Sequence, residues 1–256
     1  MFALYQGQAR PGNTRQNLGL VRRAAAEAAS AGAVILVLPE LFISGYRLDG
    51  GLDSAAEPLD GPSVTELRSI AAEHAIALII GLPEREDDRL YNTAVAIDAQ
   101  GRLAGSYRKI HLFGPDETRL FTPGTEPRVV ELAGYRVGLA ICYDIEFPEM
   151  ARALVRAGAG MICVPTANMQ PYVSVPTTLI RARALENGVP VIYANHCGTI
   201  APLTFTGDSC IVAYDGTDRA RAGVDGEELL FSNTGSLFPA QEADLLRSTQ
   251  LVDLRL

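Results

Sequence analysis

Short apolar runs recur along the chain, separated by stretches in which apolar residues return every three or four positions. The runs fall at 2–6, 34–38, 77–82, 91–97, 135–143, 161–164, 189–194 and 209–214. They are rich in Val, Ile and Leu and bounded by Gly, Pro or Asp, which predicts β-strands, several buried on both faces. Helical stretches lie between them. Asn13 is placed to cap a helix reaching Ala31, with Leu18, Val21, Ala25 and Ala28 on one face and Gly32 as its stop. Ser63, with Glu66 three residues on, has capping-box spacing for a second helix. A third follows Pro148, with Met150, Leu154 and Ala157 at helical spacing, and a fourth covers about 175–187 and ends at Gly188.

Alternation of strand and helix predicts a layered α/β fold. The turn at 98–101 joins two apolar runs directly, which predicts a hairpin and therefore mixed sheets. No repeat, low-complexity tract or Pro/Gly/Ser-rich linker interrupts the pattern, so residues 1–256 read as one domain. From about 223 the patterning weakens, and this tail is expected to pack on a partner subunit.

Composition narrows the partners. The 256 residues carry a formal net charge of −8, which argues against a phosphate-binding surface and hence against nucleic acid as partner. No apolar run approaches the length of a membrane span, and Met1 to Arg10 lack a signal-peptide pattern. The expected location is the cytoplasm, with no membrane partner. Cys142, Cys163, Cys197 and Cys210 form no C-x-x-C pair, and His74, His111 and His196 do not supply metal spacing, so neither a disulfide nor a metal is expected. Both phosphate-cradling glycine fingerprints are absent, which argues against a nucleotide-binding enzyme. Among 22 basic residues only one, Lys109, is a lysine. A guanidinium keeps its proton, whereas a lysine amine is compact and tunable by burial.

In α/β sheets, chemistry gathers beyond the carboxyl ends of strands. Three runs end there in reactive groups: 33–39 delivers Glu40, 104–108 delivers Lys109, and 137–141 delivers Cys142. Glu84 rivals Glu40, because it too follows Leu-Pro at the end of an apolar run, and spacing does not choose between them. Cys163 and Cys210 read as small core residues. Cys142 differs because a sharp strand-to-helix turn follows, a geometry that exposes a nucleophile and aims backbone N–H groups at an oxyanion. Thiol, carboxylate and amine together suit acyl transfer. The acid takes the thiol proton and returns it to a leaving amine, and the ammonium stabilises the tetrahedral oxygen. A Cys142–histidine hydrolase using His196 or His111 is a competing reading, but it leaves the Glu and Lys unexplained.

The segments 38–46 (LPELFISGY), 107–113 (YRKIHLF) and 138–149 (GLAICYDIEFPE) resemble the glutamate, lysine and cysteine motifs of the nitrilase, or carbon–nitrogen hydrolase, superfamily, in family order. The similarity extends from the first strand to about Asp215. The resemblance selects Glu40 over Glu84 and implies Glu40 as general base, Lys109 as oxyanion stabiliser and Cys142 as nucleophile. The backbone N–H of Tyr143 becomes a second oxyanion donor, and Glu117, eight residues past the lysine in the loop opened by Gly114-Pro-Asp, orients substrate and Lys109. It also implies a four-layer αββα sandwich of two mixed sheets, no cofactor, and a homodimer or higher homo-oligomer. Segments 143–148, 166–172, 181–187 and 193–195 are similar to the amidase branch, including omega-amino amide hydrolases. The expected partner is a small aliphatic amide, contacted by Tyr46, Asn168, Met169 and Tyr172. Nitrilase or N-carbamoyl amino acid hydrolysis, and a non-catalytic scaffold that keeps the fold, are the alternatives.

Overall fold

The computed structural model describes residues 1–46 and 51–239. The first half of the chain runs β1 (Phe2–Gln6), α1 (Thr14–Ser30), β2 (Ile35–Val37), α2 (Leu52–Ala55), α3 (Pro62–His74), β3 (Ala77–Glu86), β4 (Arg89–Ile97), β5 (Leu103–Arg108) and α4 (Gly114–Leu120). Next come β6 (Arg128–Leu132), β7 (Tyr135–Leu139), a single 3₁₀ turn (Cys142–Glu146), α5 (Pro148–Arg156) and β8 (Met161–Pro165). A wide turn (Val175–Leu179) leads into α6 (Ile180–Asn187). The remainder is β9 (Val191–Ala194), β10 (Thr199–Ile200), β11 (Leu203–Thr204), β12 (Cys210–Val212), β13 (Asp218–Arg221), β14 (Glu228–Ser232) and α7 (Thr234–Leu237).

Two six-stranded sheets form, ordered β14-β1-β2-β3-β4-β5 and β6-β7-β8-β9-β12-β13, with β10 and β11 making a small ribbon. In these orders both sheets show the same sequence of pairings: antiparallel, parallel, parallel, antiparallel, antiparallel. Successive strand side chains point to opposite faces, and the layers follow from that alternation. Phe2 and Leu4 enter the core between the sheets with Ile35, Ile79, Leu139 and Ile192. Ala3 and Tyr5 face the other way, toward Val21 and Ala25 of α1 and Leu67 and Ile70 of α3. On the second sheet, α5 and α6 supply Leu154, Ile180 and Ala184. The result is an αββα sandwich with two mixed sheets, as the sequence predicts. Each fully buried Leu, Ile or Val contributes on the order of 1.5–3 kcal/mol.

Several elements depart from the sequence reading. Asn13 caps α1 as expected, accepting from the Gln16 N–H at 3.1 Å. Ser63 does not cap α3. With Pro62 in its first turn the helix starts earlier, Glu57 accepts from the Ser63 N–H (2.7 Å) and hydroxyl (3.0 Å), and Glu66 pairs with Arg22 instead. The expected loop at Gly114 is the helix α4. The run 135–143 stops being a strand at Leu139, because Cys142 adopts a left-handed backbone with φ 48°. The edge strands β6, β13 and β14 were not anticipated. Of the stretch from 223 expected to pack on a partner subunit, β14 pairs antiparallel with β1 of its own chain, Phe2 opposite Ser232, and Leu237 is buried. Residues 240–256 lie outside the described residues.

Candidate active site

The parallel strands at the centre of each sheet end on the same side, and the site forms there. Beyond β2, Leu38-Pro39 carries the chain to Glu40 over the backbone of Gly81. A Cβ at Gly81 would lie 2.5 Å from the Glu40 Cα, so only glycine permits this approach. The Glu40 carbonyl accepts from His196 Nε2 at 2.7 Å, and its N–H reaches the Thr166 carbonyl at 3.4 Å. Residues at the ends of β8 and β9 therefore fix the main chain of an acid presented by the other sheet.

Lys109 follows β5. Its N–H donates to the Asn92 carbonyl and its own carbonyl accepts from Gly124, both at 2.8 Å. The ammonium donates to Glu40 Oε1 at 2.7 Å and to Glu117 at 2.9 Å, and none of the three side chains is exposed. Glu117 is held in turn by the Tyr46 hydroxyl (2.7 Å) and the Phe113 N–H (2.8 Å). Asn92 Nδ2 donates to the same Glu40 Oε1 at 2.6 Å. Glu40 Oε2 has no hydrogen-bond partner among the described residues. One oxygen of this carboxylate is saturated and the other is free to take a proton.

Cys142 opens the 3₁₀ turn. Asp144, fully buried, accepts from the Ile141 N–H (3.0 Å) and the Tyr107 hydroxyl (2.8 Å) through Oδ2. Through Oδ1 it accepts from the His111 N–H (2.9 Å) and contacts His111 Nδ1 (2.8 Å). The cysteine turn is thereby tied to the lysine segment. Tyr143 is second in the turn, where backbone N–H groups have no intrahelical acceptor.

The charges explain one another. Burial pushes the Cys142 thiol well up and nearby Glu40 adds to this, while Lys109 and the Ala167 N–H pull the other way. Burial also raises Glu40, opposed by Lys109 and reinforced by Glu117. Burial works against the Lys109 ammonium, yet Glu40, Glu117 and Cys142 outweigh it and hold the amine protonated. Burial thus disfavours the thiolate, and the thiol lies in the field of an acid that has one oxygen without a hydrogen-bond partner.

Residues 2–233 match the carbon-nitrogen hydrolase family profile. The chain belongs to the carbon-nitrogen hydrolase family. Over 228 residues it is 46% identical to a protein of Pseudomonas protegens named "Hydrolase in pqqF 5'region", covering 87% of this chain and 79% of that one. An (R)-stereoselective amidase of a Pseudomonas species is 38% identical, with 87% and 80% covered. An amidase from Nesterenkonia sp. AN1, solved as a variant with acrylamide added to its active-site cysteine, superimposes with a TM-score of 0.82 at 36% identity, covering 97% of each chain.

In this carbon–nitrogen hydrolase the sequence-derived residues divide into two groups. Glu40, Lys109 and Glu117 are in direct contact, with Cys142 in their field. Tyr46 is buried with its hydroxyl on Glu117, and Met169 packs with it beside Leu41 and Phe205. Asn168 directs its amide nitrogen to the Tyr172 carbonyl (3.0 Å) of its own loop and to the Thr206 hydroxyl (3.1 Å) of the segment after β11. Tyr172 is 43% exposed, edge-on to Phe113. Glu84 is paired with Arg108 and accepts from Thr93 at 2.6 Å. His111 and His196 hydrogen-bond to Asp144 and to the Glu40 carbonyl, not to Cys142. Asn92 and Asp144 escaped the sequence reading. Asp144 had a signal, standing three residues past Ile141 at N-cap spacing, whereas Asn92 inside a strand run had none.

Proposed function

We propose that this protein is a cysteine-dependent amidase that converts a small aliphatic amide to carboxylate and ammonia through a thioester. The observation that carries this reading is a buried ammonium bridging two carboxylates, one of which keeps an oxygen without a hydrogen-bond partner, with the Cys142 thiol in the field of all three groups. The Cys142 sulfur attacks the amide carbon as its proton passes to Glu40. Lys109 and the Tyr143 N–H stabilise the oxyanion, and Glu117 holds Lys109 in line. Glu40 returns the proton to the departing nitrogen, ammonia leaves, and the S–C bond remains as a thioester. Water then gives a proton to Glu40 and its oxygen to the acyl carbon. The intermediate collapses, and sulfur leaves with the proton from Glu40.

Acrylamide on the active-site cysteine of the Nesterenkonia amidase supports a small amide as substrate class. The test is ammonia release from a panel of aliphatic amides, with mass spectrometry of the protein during turnover. An acyl mass on the peptide containing Cys142, absent in Cys142→Ala, is expected. Full turnover by Cys142→Ala, or faster turnover of nitriles or carbamoyl amino acids than of amides, overturns the reading.

A further inference from the structure

Three consecutive residues at the end of β9 hold the chain that leaves β8. The Thr166 N–H donates to the Ala194 carbonyl at 2.8 Å, which continues the parallel pairing of the two strands. Asn195, fully buried, then clamps Asn168 with its side chain. Its Oδ1 accepts from the Asn168 N–H (2.9 Å), and its Nδ2 lies against the Asn168 carbonyl (3.2 Å), the Thr206 hydroxyl (3.0 Å) and the Gly207 carbonyl (2.8 Å). His196 takes the Glu40 carbonyl. A primary amide suits the Asn195 seat because it offers an acceptor and two donors in one plane. A carboxylate there would face two carbonyls without a donor, and an apolar side chain would leave the buried Asn168 N–H without an acceptor.

The peptide that joins Thr166 to Ala167 lies between these two anchors, and both of its polar groups meet the reaction centre. Its carbonyl accepts from the Glu40 N–H at 3.4 Å. A trans peptide points its N–H away from its C=O, so the Ala167 N–H is aimed away from the Glu40 main chain. Beside β8 runs β7, with Leu139 opposite Cys163, and the cysteine turn that follows β7 packs on the end of β8. There the Ala167 N–H is the backbone donor to the Cys142 thiol and favours its ionised form. One peptide thus spans from the acid to the nucleophile. It has little freedom to turn, because Ala194 holds the residue before it and Asn195 the residue after it.

We propose that Asn195 is a positioning residue of the reaction, fixing the 166–167 peptide so that the Ala167 N–H supports the Cys142 sulfur as the thioester S–C bond breaks. The electron pair of that bond returns to sulfur, which then takes the proton from Glu40. This rests on the amidase reading above. The test follows alkylation of Cys142 by iodoacetamide against pH, read by mass spectrometry of its peptide, which needs no amide turnover. Steady-state kinetics with propionamide run beside it. Asn195→Ala is expected to move the alkylation midpoint up by about one pH unit. It is also expected to lower kcat by about 10- to 100-fold, the scale of a small misplacement in the site, with KM within about threefold. Ser209→Ala removes the hydroxyl that accepts from the Asn195 N–H (2.9 Å) and leaves the side-chain clamp in place. It is expected to lower the melting temperature and leave the midpoint unchanged. Should Asn195→Ala fail to fold, Thr206→Val keeps the shape and removes one acceptor of the clamp, and a smaller upward shift is expected. A midpoint that stays in place in the variant that folds, or moves equally in Ser209→Ala, overturns the proposal and leaves the amidase reading intact. The expected shift without turnover of any amide by the unaltered protein supports the positioning of the sulfur and overturns the amidase reading alone.

Discussion

Glu40 receives two donors on one oxygen and none on the other, and in the proposed mechanism that asymmetry selects the oxygen that takes the thiol proton. Asn92 is the neutral donor of the pair, at 2.6 Å. A donor to a carboxylate favours its ionised form, so Asn92→Ala is expected to raise the Glu40 pKa further and move the acid limb of kcat/KM to higher pH. The lost hydrogen bond to a charged group, about 1.5–3 kcal/mol, predicts a fall in kcat of about 10- to 100-fold. A merely structural role would lower stability and leave the pH profile in place. Lys109 supports a different expectation. With its ammonium gone, Glu40 and Glu117 face each other in a cavity that excludes water. Lys109→Met is expected to cost about 3–5 kcal/mol in urea unfolding, the penalty for leaving one side of a buried ion pair unmatched. The carboxylates of that variant would hold their protons more tightly folded than unfolded. Its stability is therefore fully present below the ordinary carboxylate pKa and declines as pH rises, which unfolding curves at low and neutral pH check.

The cysteine turn is an element whose shape depends on one buried acid. Cys142 sits at φ 48°, a conformation disfavoured for any residue with a Cβ, and it persists only where neighbours over-determine it. Asp144 supplies that constraint through the Ile141 and His111 N–H groups, the His111 ring and the Tyr107 hydroxyl. Asp144→Asn keeps the size but turns one acceptor oxygen into a donor facing N–H groups. A loss of about 2–4 kcal/mol in stability and a kcat reduced more than KM is altered are expected from thermal melts and steady-state kinetics. Elements also separate what the sequence discloses from what it hides. Central strands such as β1, β3 and β8 were legible because burial on both faces demands unbroken apolar runs. The edge strand β13 was not, since its residues Asp218-Arg-Ala-Arg221 read as a solvated turn. In the fold Asp218 pairs with Arg181 of α6 and with Arg221, and Arg219 pairs with Asp215, which settles these charges on an edge strand. The candidate site divides the same way. Lys109 and Cys142 announce themselves at strand ends, as does Glu40 once the motif resemblance selects it over Glu84. Asn92 and His196 act by donating to oxygens of Glu40, and Asp144 by accepting from backbone N–H groups, roles that leave no periodic trace.

At the scale of the whole molecule, the site depends on two sheets keeping their relative position, and His196 links them. It follows β9 of one sheet and donates to the carbonyl of Glu40, which is presented by the other. Its ring is fully buried, stacked with Phe42 and tilted against Phe205. Burial pushes it down to about 4 from the ordinary 6.5, with the Glu40 carbonyl contact acting the other way. A base held neutral in the fold but free to protonate when unfolded adds stability that is complete above the unfolded pKa. As pH falls from about 6.5 to about 4, the unfolded chain binds a proton that the native chain refuses, and about 3 kcal/mol of stability is lost. Glu40, raised by burial, contributes with the opposite sign, so the total slope mixes the two. The difference between the unaltered protein and His196→Gln isolates the histidine. Urea unfolding across this range is expected to show a flatter pH dependence for His196→Gln by up to one proton. The His196 ring, followed by NMR in the folded unaltered protein, is expected to stay neutral until near pH 4. Equal slopes for the two proteins, or a ring that titrates near pH 6.5 in the folded state, would mean that this histidine is open to solvent and that the two sheets are not joined through it.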